Sequence, residues 1–465
     1  MFGMQQIYDH APLFAQNVMC TLSGWEKCRH RYGAAYWEYR RFLEEFDRWP
    51  LQKQIDYQNE QLHGLLQWTV RNSPFYARLY QGIDLSAIRT AEDLKKLPVV
   101  DKETLRRNID AVVTRRGRGT VEGHTGGTTG KSLTVVFTEE DFMRRMAMLD
   151  HFKARVGFEH RKMKRATFNG KHIVPPGQKG KVFWRYNAAC RQMIYSSFHL
   201  SEGNMAAYVE SLNTFRPDAI DGFFTAMCDV AGYMERRGIT PDFRPKAIFP
   251  TSETLTPSGR ALLERVFHCK VYDQYASSEG APFVTECPRQ HLHMELASGV
   301  IEHLAEDDTE VLVTSFTTHG TPLIRYRIGD RMRFAGPGES CGCGLSGPRV
   351  EEIQGRRLDF LYTPEGAKIN AGNVSNILKN LPNAIVRAQF RQKETDSLLV
   401  LLEVDAGRFR PAYQEQLRRE IAHKFGPDMK VRIELVEQIP REKSGKFRMI
   451  VNDVGEGGPI EAAGR

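Results

Sequence analysis

The sequence predicts an α/β protein of more than one domain, and three observations carry that expectation. Its 465 residues exceed the roughly 250–300 at which one hydrophobic core stops growing. Short β-branched runs, Leu133 to Phe137, Lys246 to Phe249 and Val311 to Phe316, alternate with amphipathic stretches of helical period, as in a sheet covered by helices. The texture then changes near Pro98 and again near Gly355. Three segments are expected: a helical part of a large N-terminal domain over 1–98, the core of that domain with mixed sheets and helices over 99–354, and a small α+β C-terminal domain over 355–465.

In the first segment Tyr36, Tyr39, Phe42, Phe46 and Trp49 recur at three- and four-residue spacing, which puts the rings on one helical face and reads as core. In the second, Thr138 and Asp141 make a capping-box-like helix start. Phe142, Met146, Leu149, Phe152 and Val156 follow at helical spacing, and Gly157 closes the pattern. The third segment predicts a strand pair (Ile385 to Phe390, Leu398 to Val404), an amphipathic helix (Tyr413 to Phe425) and a further strand (Val431 to Val436). The glycine-rich tail from Gly455 is expected to be disordered.

Composition narrows the function. With 41% hydrophobic and 26% charged residues the chain is ordinary globular protein. Its longest purely aliphatic stretch, Leu398 to Leu402, is far short of the ~18 residues that cross a bilayer, so no membrane span is expected. Met1 to His10 has neither a basic region nor an apolar core and does not read as a secretory signal, so a cytoplasmic protein is expected. Eight cysteines are too few for a disulfide scaffold in a chain this long, so a close cluster among them reads as metal-binding. The net charge of +8 suits an anionic partner, but its basic residues are dispersed. Without a dense basic stripe or a nucleic-acid-binding motif, no nucleic acid is expected.

Five segments could carry chemistry. His124-Thr125-Gly126-Gly127-Thr128-Thr129-Gly130-Lys131-Ser132 combines glycines, hydroxyls and a cation, which serves as a phosphate cradle or as a flexible turn. It is not a Walker A loop, because Thr125 stands where the first glycine belongs and strand-like residues follow from Leu133. Asp273-Gln274-Tyr275-Ala276-Ser277-Ser278-Glu279 follows a strand-like run, where a carboxylate could hold Mg²⁺. In Pro322 to Asp330 the acidic residue past a strand could accept from ribose hydroxyls. Ile439 to Arg448 is a basic loop containing Lys443, Gly445 and Lys446. Last, Cys287, His291 and His293 precede Cys341-Gly342-Cys343-Gly344. Three thiolates and an imidazole are the four soft ligands of a closed structural zinc site, with His293 the expected histidine and His291 the alternative.

In this order and at these separations, the first four segments resemble the adenylate-forming enzymes, specifically the phenylacetate–CoA ligase branch with its CapK-like and coenzyme F390 synthetase-like relatives. The stretches Phe183 to Asn187 and Tyr195 to Leu200 are similar to the CapK-like subgroup. The resemblance implies a large domain with a mobile C-terminal domain, and an enzyme that joins a small carboxylic acid to ATP as an acyl-adenylate before a nucleophile takes the acyl group. It also implies residue roles. Thr125, Gly126, Gly127, Thr128, Thr129, Gly130 and Lys131 would hold the triphosphate and Glu279 would ligate Mg²⁺. Ser252, Glu253, Asp273, Gln274 and Tyr275 would line the adenine pocket, Asp330 would hold the ribose, and Arg356 would touch ribose or phosphate. Asp359 would be the hinge and Lys446 the lysine that swings in for adenylation. Gly126, Ser132, Ala276 and Leu358 depart from common residues of the pattern without removing a charge the chemistry needs. The implied acceptor is coenzyme A, the alternative an amine. A nucleotide-binding protein without catalysis is the reading of another class, and the joint retention of Lys446, Glu279 and Asp330 argues against it.

Overall fold

The structure is a computed structural model. It describes residues 2–454 apart from 125–132, 176–177, 179, 202, 254, 256, 307, 337–340, 354–359, 371–372, 375–376, 379–380, 382–383, 405, 408, 438 and 440–448. The chain opens with helices α1 (Phe2–His10), α2 (Leu13–Arg31), α3 (Ala34–Phe46), α4 (Leu51–Asn72) and α5 (Pro74–Leu79). Prolines mark their starts: Pro12 and Pro50 precede α2 and α4, and Pro74 opens α5, where a missing N–H costs nothing. The aromatic stripe of α3 is core, as expected: Tyr36, Tyr39 and Phe46 are buried in one cluster with Ala147 and Met148, and Phe42 and Trp49 pack against it.

After β1 (Val100–Asp101) and two short helices, α6 (Lys102–Arg107) and α7 (Ile109–Val112), the strands β2 (Thr120–His124) and β3 (Thr134–Thr138) form an antiparallel hairpin, Thr120 opposite Thr138 and His124 opposite Thr134. The glycine-rich segment connects this hairpin. In α8 (Glu139–Ala154) the Thr138 hydroxyl accepts the Asp141 N–H at 3.0 Å. The reciprocal half of the capping box is not made. The buried Asp141 carboxylate instead accepts from the backbone N–H of His319 at 2.8 Å and meets its Nδ1 at 2.7 Å, a stronger tether for an acid removed from water. The helix ends at Ala154, short of Val156, and Gly157 turns the chain at φ 86°.

A six-stranded sheet follows in the order β5 (Trp184–Asn187), β6 (Gln192–Ser196), β4 (Arg165–Asn169), β7 (Ala219–Phe223), β8 (Ala247–Thr251), β9 (Lys270–Val271). Only the β5–β6 pair is antiparallel. Helices α9 (Met205–Phe215), α10 (Phe224–Arg236) and α11 (Pro257–Phe267) connect the parallel strands. Every residue of β7 is buried, as a strand covered on both faces requires. Gly222 is obligatory there: at φ 124° a Cβ would stand 1.8 Å from the Phe168 carbonyl oxygen. The chain leaves β4 for one side of the sheet and returns through β7 on the other. The crevice beyond their carboxyl ends is the topological switch point at which open α/β sheets bind ligands. Phe183, Tyr195, Phe223, Phe224 and Met227 lie in the core of this layer.

The second sheet runs β10 (Gln274–Tyr275), β11 (Val284–Glu286), β12 (Leu292–Met294), β16 (Arg349–Ile353), β15 (Tyr326–Phe334), β14 (Glu310–Ser315), β13 (Gly299–His303), with β1 parallel to β15. Beyond residue 359, β17 (Phe360–Tyr362) pairs with β18 (Lys368–Asn370). The order β21 (Lys430–Leu435), β20 (Ser397–Val404), β19 (Ile385–Glu394), β22 (Ile450–Asn452) makes a four-stranded sheet. Helix Pro411–Phe425 starts two residues before Tyr413, on a proline, and buries Leu417, Ile421 and Phe425 with Phe390 and Val400. The expected boundary at 355 and the tail from Gly455 lie outside the described residues. No described helix is long and apolar enough to cross a membrane.

Candidate nucleotide and metal sites

Of the expected nucleotide residues that the structure describes, Ser252, Glu253 and Asp273 follow strands of the first sheet, and Gln274, Tyr275 and Asp330 lie on β10 and β15 of the second. Ser252 and Glu253 follow the end of β8, and Asp273, Gln274 and Tyr275 follow β9. Ser252 is exposed and held at φ 67°, a left-handed conformation that costs a serine about 1 kcal/mol or more. Glu253 anchors the start of α10. Its carboxylate accepts the backbone N–H of Thr225 at 2.7 Å and the hydroxyl at 3.1 Å, at the positive end of that helix. The Gln274 amide donates to the Pro250 carbonyl at 3.2 Å, which ties the two strand ends together.

Asp273 faces inward. Burial raises its carboxyl above the usual range, and one of its oxygens accepts the Gln274 N–H at 2.8 Å. Its own N–H donates to Glu286 at 2.8 Å. Burial pushes Glu286 up to about 7, while its bond to Arg260 pulls the other way. Tyr275 lies on β10 of the second sheet, and its hydroxyl donates to Asp330 Oδ2 on β15 of the same sheet at 2.8 Å. This bond joins two motifs that lie 55 residues apart in sequence.

Glu279 follows β10 in a loop and is buried, with 8% of its surface exposed. Its carboxylate makes no hydrogen bond or ion pair to a described residue. The loop is held from behind by Arg145 of α8. One guanidinium nitrogen donates to the carbonyls of Gly280 at 2.8 Å and Ala281 at 3.0 Å and to the Thr317 hydroxyl at 3.0 Å, and the group lies 4.4 Å from the Phe283 ring centroid. Sequence reasoning missed Arg145. Its signal was present: the residue falls three after Phe142 and four before Leu149, a charge on the helix face that packs inward.

The cysteine and histidine cluster assembles from two turns. Cys287 starts the β11–β12 turn, in which Gln290 N–H donates to the Cys287 carbonyl at 2.8 Å and Cys287 N–H to the His291 carbonyl at 2.9 Å. His293 is on β12, opposite Arg349 of β16. Cys341 and Cys343 come from the β15–β16 connection, where Gly342 and Gly344 at φ 63° and 94° reverse the backbone after each thiol. The Sγ atoms of Cys287 and Cys341 are 3.8 Å apart, and His293 Nε2 is 3.2 Å from Cys341 Sγ and 3.6 Å from Cys343 Sγ. All four donor atoms lie within 4.8 Å of one another. A tetrahedral zinc with bonds of about 2.3 Å to sulfur and 2.0 Å to nitrogen has edges near 3.8 and 3.6 Å. The donor set therefore fits that ion.

The second nitrogen of His293 meets the Gly347 carbonyl at 2.7 Å, which fixes the ring with Nε2 toward the thiols. Burial holds this imidazole below its ordinary range, against the pull of that carbonyl, so it is neutral as a ligand must be. His291 is exposed and is not among the four clustered donors. Burial raises the Cys228 thiol to about 12, which disfavours its thiolate. Thr125 to Lys131, Arg356, Asp359 and Lys446 lie outside the described residues.

Comparison with known proteins agrees with this architecture. Residues 361–453 match the CapK C-terminal domain family. Over 454 residues the chain is 33% identical to Protein CapK of Staphylococcus aureus, covering 97% of this chain and all of that protein. It is 24% identical over 422 residues to a phenylacetate–coenzyme A ligase of Aromatoleum evansii, covering 83% of this chain and 92% of the relative. A crystal structure of 2-hydroxyisobutyryl-CoA ligase in its postadenylation state shares the fold, with a TM-score of 0.56 at 18% identity over 88% of this chain and 92% of that one. The chain belongs to the CapK family, in the phenylacetate–CoA ligase-like branch of the adenylate-forming ligases.

Proposed function

We propose that the chain is an ATP- and Mg²⁺-dependent acid ligase of the cytoplasm, which activates a small carboxylic acid as its acyl-adenylate and passes the acyl group to coenzyme A. The observation that carries this reading is the Tyr275–Asp330 bond between β10 and β15, with the buried Glu279 carboxylate on the loop that follows Tyr275. Asp330, oriented by Tyr275, would accept from the ribose hydroxyls. Ser252, Asp273 and Gln274 frame the adenine side, and Glu253 holds the end of α10 beneath it. Glu279 would hold Mg²⁺, which supplies charge neutralisation for the triphosphate.

In the first half-reaction a carboxylate oxygen of the acid attacks the α-phosphorus, the bond to the bridging β-phosphate oxygen breaks, and pyrophosphate leaves. Negative charge grows on the α-phosphate oxygens, and the ammonium of Lys446 stabilises it, with the backbone and hydroxyls of Thr125 to Lys131 on the leaving group. In the second, the thiolate sulfur of coenzyme A attacks the acyl carbonyl and AMP leaves. One mobile lysine serves only the first step, so the C-terminal domain turns about Asp359 between the two, while Arg356, just before that hinge, touches ribose or phosphate. The zinc site of Cys287, His293, Cys341 and Cys343 is structural, because four protein donors leave no open position.

The test is AMP release by the purified protein with ATP, Mg²⁺ and a panel of aromatic and short-chain acids, with and without coenzyme A. Release stimulated by coenzyme A, with the thioester seen by mass spectrometry, is the expected result. Release indifferent to coenzyme A and stimulated by an amine mixture, with an amide product, would replace the acceptor and keep the adenylation. Acid-independent ATP binding without AMP would overturn the enzyme reading.

A further inference from the structure

Helix α2 is docked by its polar face. Asn17 Oδ1 accepts the Tyr186 N–H at 2.9 Å, Thr21 Oγ1 accepts the Ala188 N–H at 3.1 Å, and Gln16 accepts from Arg185. These side chains satisfy polar groups along β5, the edge strand of the six-stranded sheet. Gly24 lets the helix approach this closely, since a Cβ there would stand 2.2 Å from Asn187 Oδ1. An amphipathic helix ordinarily buries its apolar stripe. In α2 the arrangement is inverted.

The consequence is an apolar stripe in solvent. Phe14, Val18, Leu22 and Trp25 recur at spacings of four, four and three, and are 72, 53, 56 and 59% exposed. Ile7 of α1, Leu13 at the start of α2 and Trp37 of α3 are also exposed. Single exposed hydrophobes are normal on a protein surface, whereas a continuous stripe of this kind marks a contact.

We infer that this stripe is an interface between two copies of the chain, packed antiparallel about a twofold axis through the middle of α2. Two observations select a second copy. The spacing is self-complementary: antiparallel pairing sets Phe14 against Trp25 of the other copy and Val18 against its Leu22, both pairs centred on the turn at residues 19–20, as an isologous contact demands. The area is also of the order a dimer needs. Phe14 and Trp25 are more than half exposed, so of the about 150–250 Å² that such a ring buries in full each has about 100–150 Å² left to bury, and with Leu13, Val18 and Leu22 the stripe supplies roughly half of the ~800 Å² per partner of a standard interface. A membrane surface fits less well. Helices that lie in the bilayer interface carry lysines and arginines along their polar face, but in α2 the basic residues Lys27, Arg29 and Arg31 all fall after the stripe from Leu13 to Trp25, and beside the stripe the polar face is occupied on β5.

Sedimentation velocity of the full chain over about two decades of concentration reads the result. The wild type is expected to be a dimer, and Leu22→Glu and, separately, Val18→Lys are each expected to raise its dissociation constant about a hundredfold or more. Both positions are exposed, so thermal melts should show both variants folded. A monomeric wild type, or a dimer indifferent to both substitutions, would overturn the proposal. So would a monomer that floats with phosphatidylglycerol vesicles and loses flotation in Leu22→Glu, an outcome that assigns the stripe to a lipid surface.

Discussion

Replacing Arg145 by methionine tests whether the Glu279 loop is positioned from behind. The substitution keeps an unbranched side chain of similar reach and removes the donors to Gly280, Ala281 and Thr317. Each carbonyl left buried without a partner costs about 2 kcal/mol, and the lost contact with Phe283 adds roughly 2 kcal/mol at a desolvated site. Against this, burial has already lowered the guanidinium from 12.5 to about 10. Relief of that burden returns about 3 kcal/mol. The net expectation is a loss of about 3 kcal/mol, within the range for breaking buried charged contacts. The assays are urea unfolding of the purified variant and the Mg²⁺ dependence of its ATP–pyrophosphate exchange. We expect a less stable large domain and a half-saturating Mg²⁺ concentration raised severalfold. Arg145→Lys should recover only part of both, because an ammonium on a different stem cannot reproduce the same fan of bonds. Stability within about 0.5 kcal/mol of wild type, with unchanged Mg²⁺ dependence, would refute the positioning argument.

Tyr275→Phe removes one hydrogen bond to a half-buried carboxylate, worth about 1.5 kcal/mol. ATP affinity measured by calorimetry should fall about tenfold while the melt changes little. Protein purified without added zinc should carry one zinc per chain by metal analysis, and Cys343→Ser should lose the metal and lower the melting temperature; metal-free folded wild type would retire the site. Asp47 gives a pH prediction. Burial pushes its carboxyl up, but bonds from His151 and Arg155 outweigh burial and hold it at about 2. A carboxyl lowered in the folded state contributes stability that is present above about pH 4 and lost as the pH falls through 2, about 2 kcal/mol in all. Asp47→Asn should therefore be less stable at pH 7 and show a flatter acid limb in urea titrations between pH 4 and pH 2.

The sequence was most legible where a pattern is local. The rings of α3, the start of α8 at Thr138 and strand β3 after the glycine-rich segment follow from spacing and caps. The clustering of Cys287, His293, Cys341 and Cys343 was legible from residue type, and burial separates His293 from the exposed His291. What escaped depends on partners distant in the chain. Arg145 stood among apolar residues at helical spacing, but its acceptors are some 135 residues away. Asp141 promised a capping-box bond and pairs with His319 instead. The stripe of α2 is as periodic as that of α3, and periodicity alone does not say which face turns inward. The edge of β5 decides it, through hydrogen bonds of Asn17 and Thr21 that no spacing announces.

Acid-dependent ATP–pyrophosphate exchange tests the adenylation claim most directly, because it reads the first half-reaction without any assumption about the acceptor. Labelled pyrophosphate should enter ATP only when a cognate acid and Mg²⁺ are both present. Lys446→Ala should abolish the exchange and leave the melt unchanged, Glu279→Gln should demand more Mg²⁺, and Asp330→Ala should weaken ATP binding. Exchange near the wild-type rate in Lys446→Ala, with normal ATP affinity in Glu279→Gln and Asp330→Ala, would contradict the account.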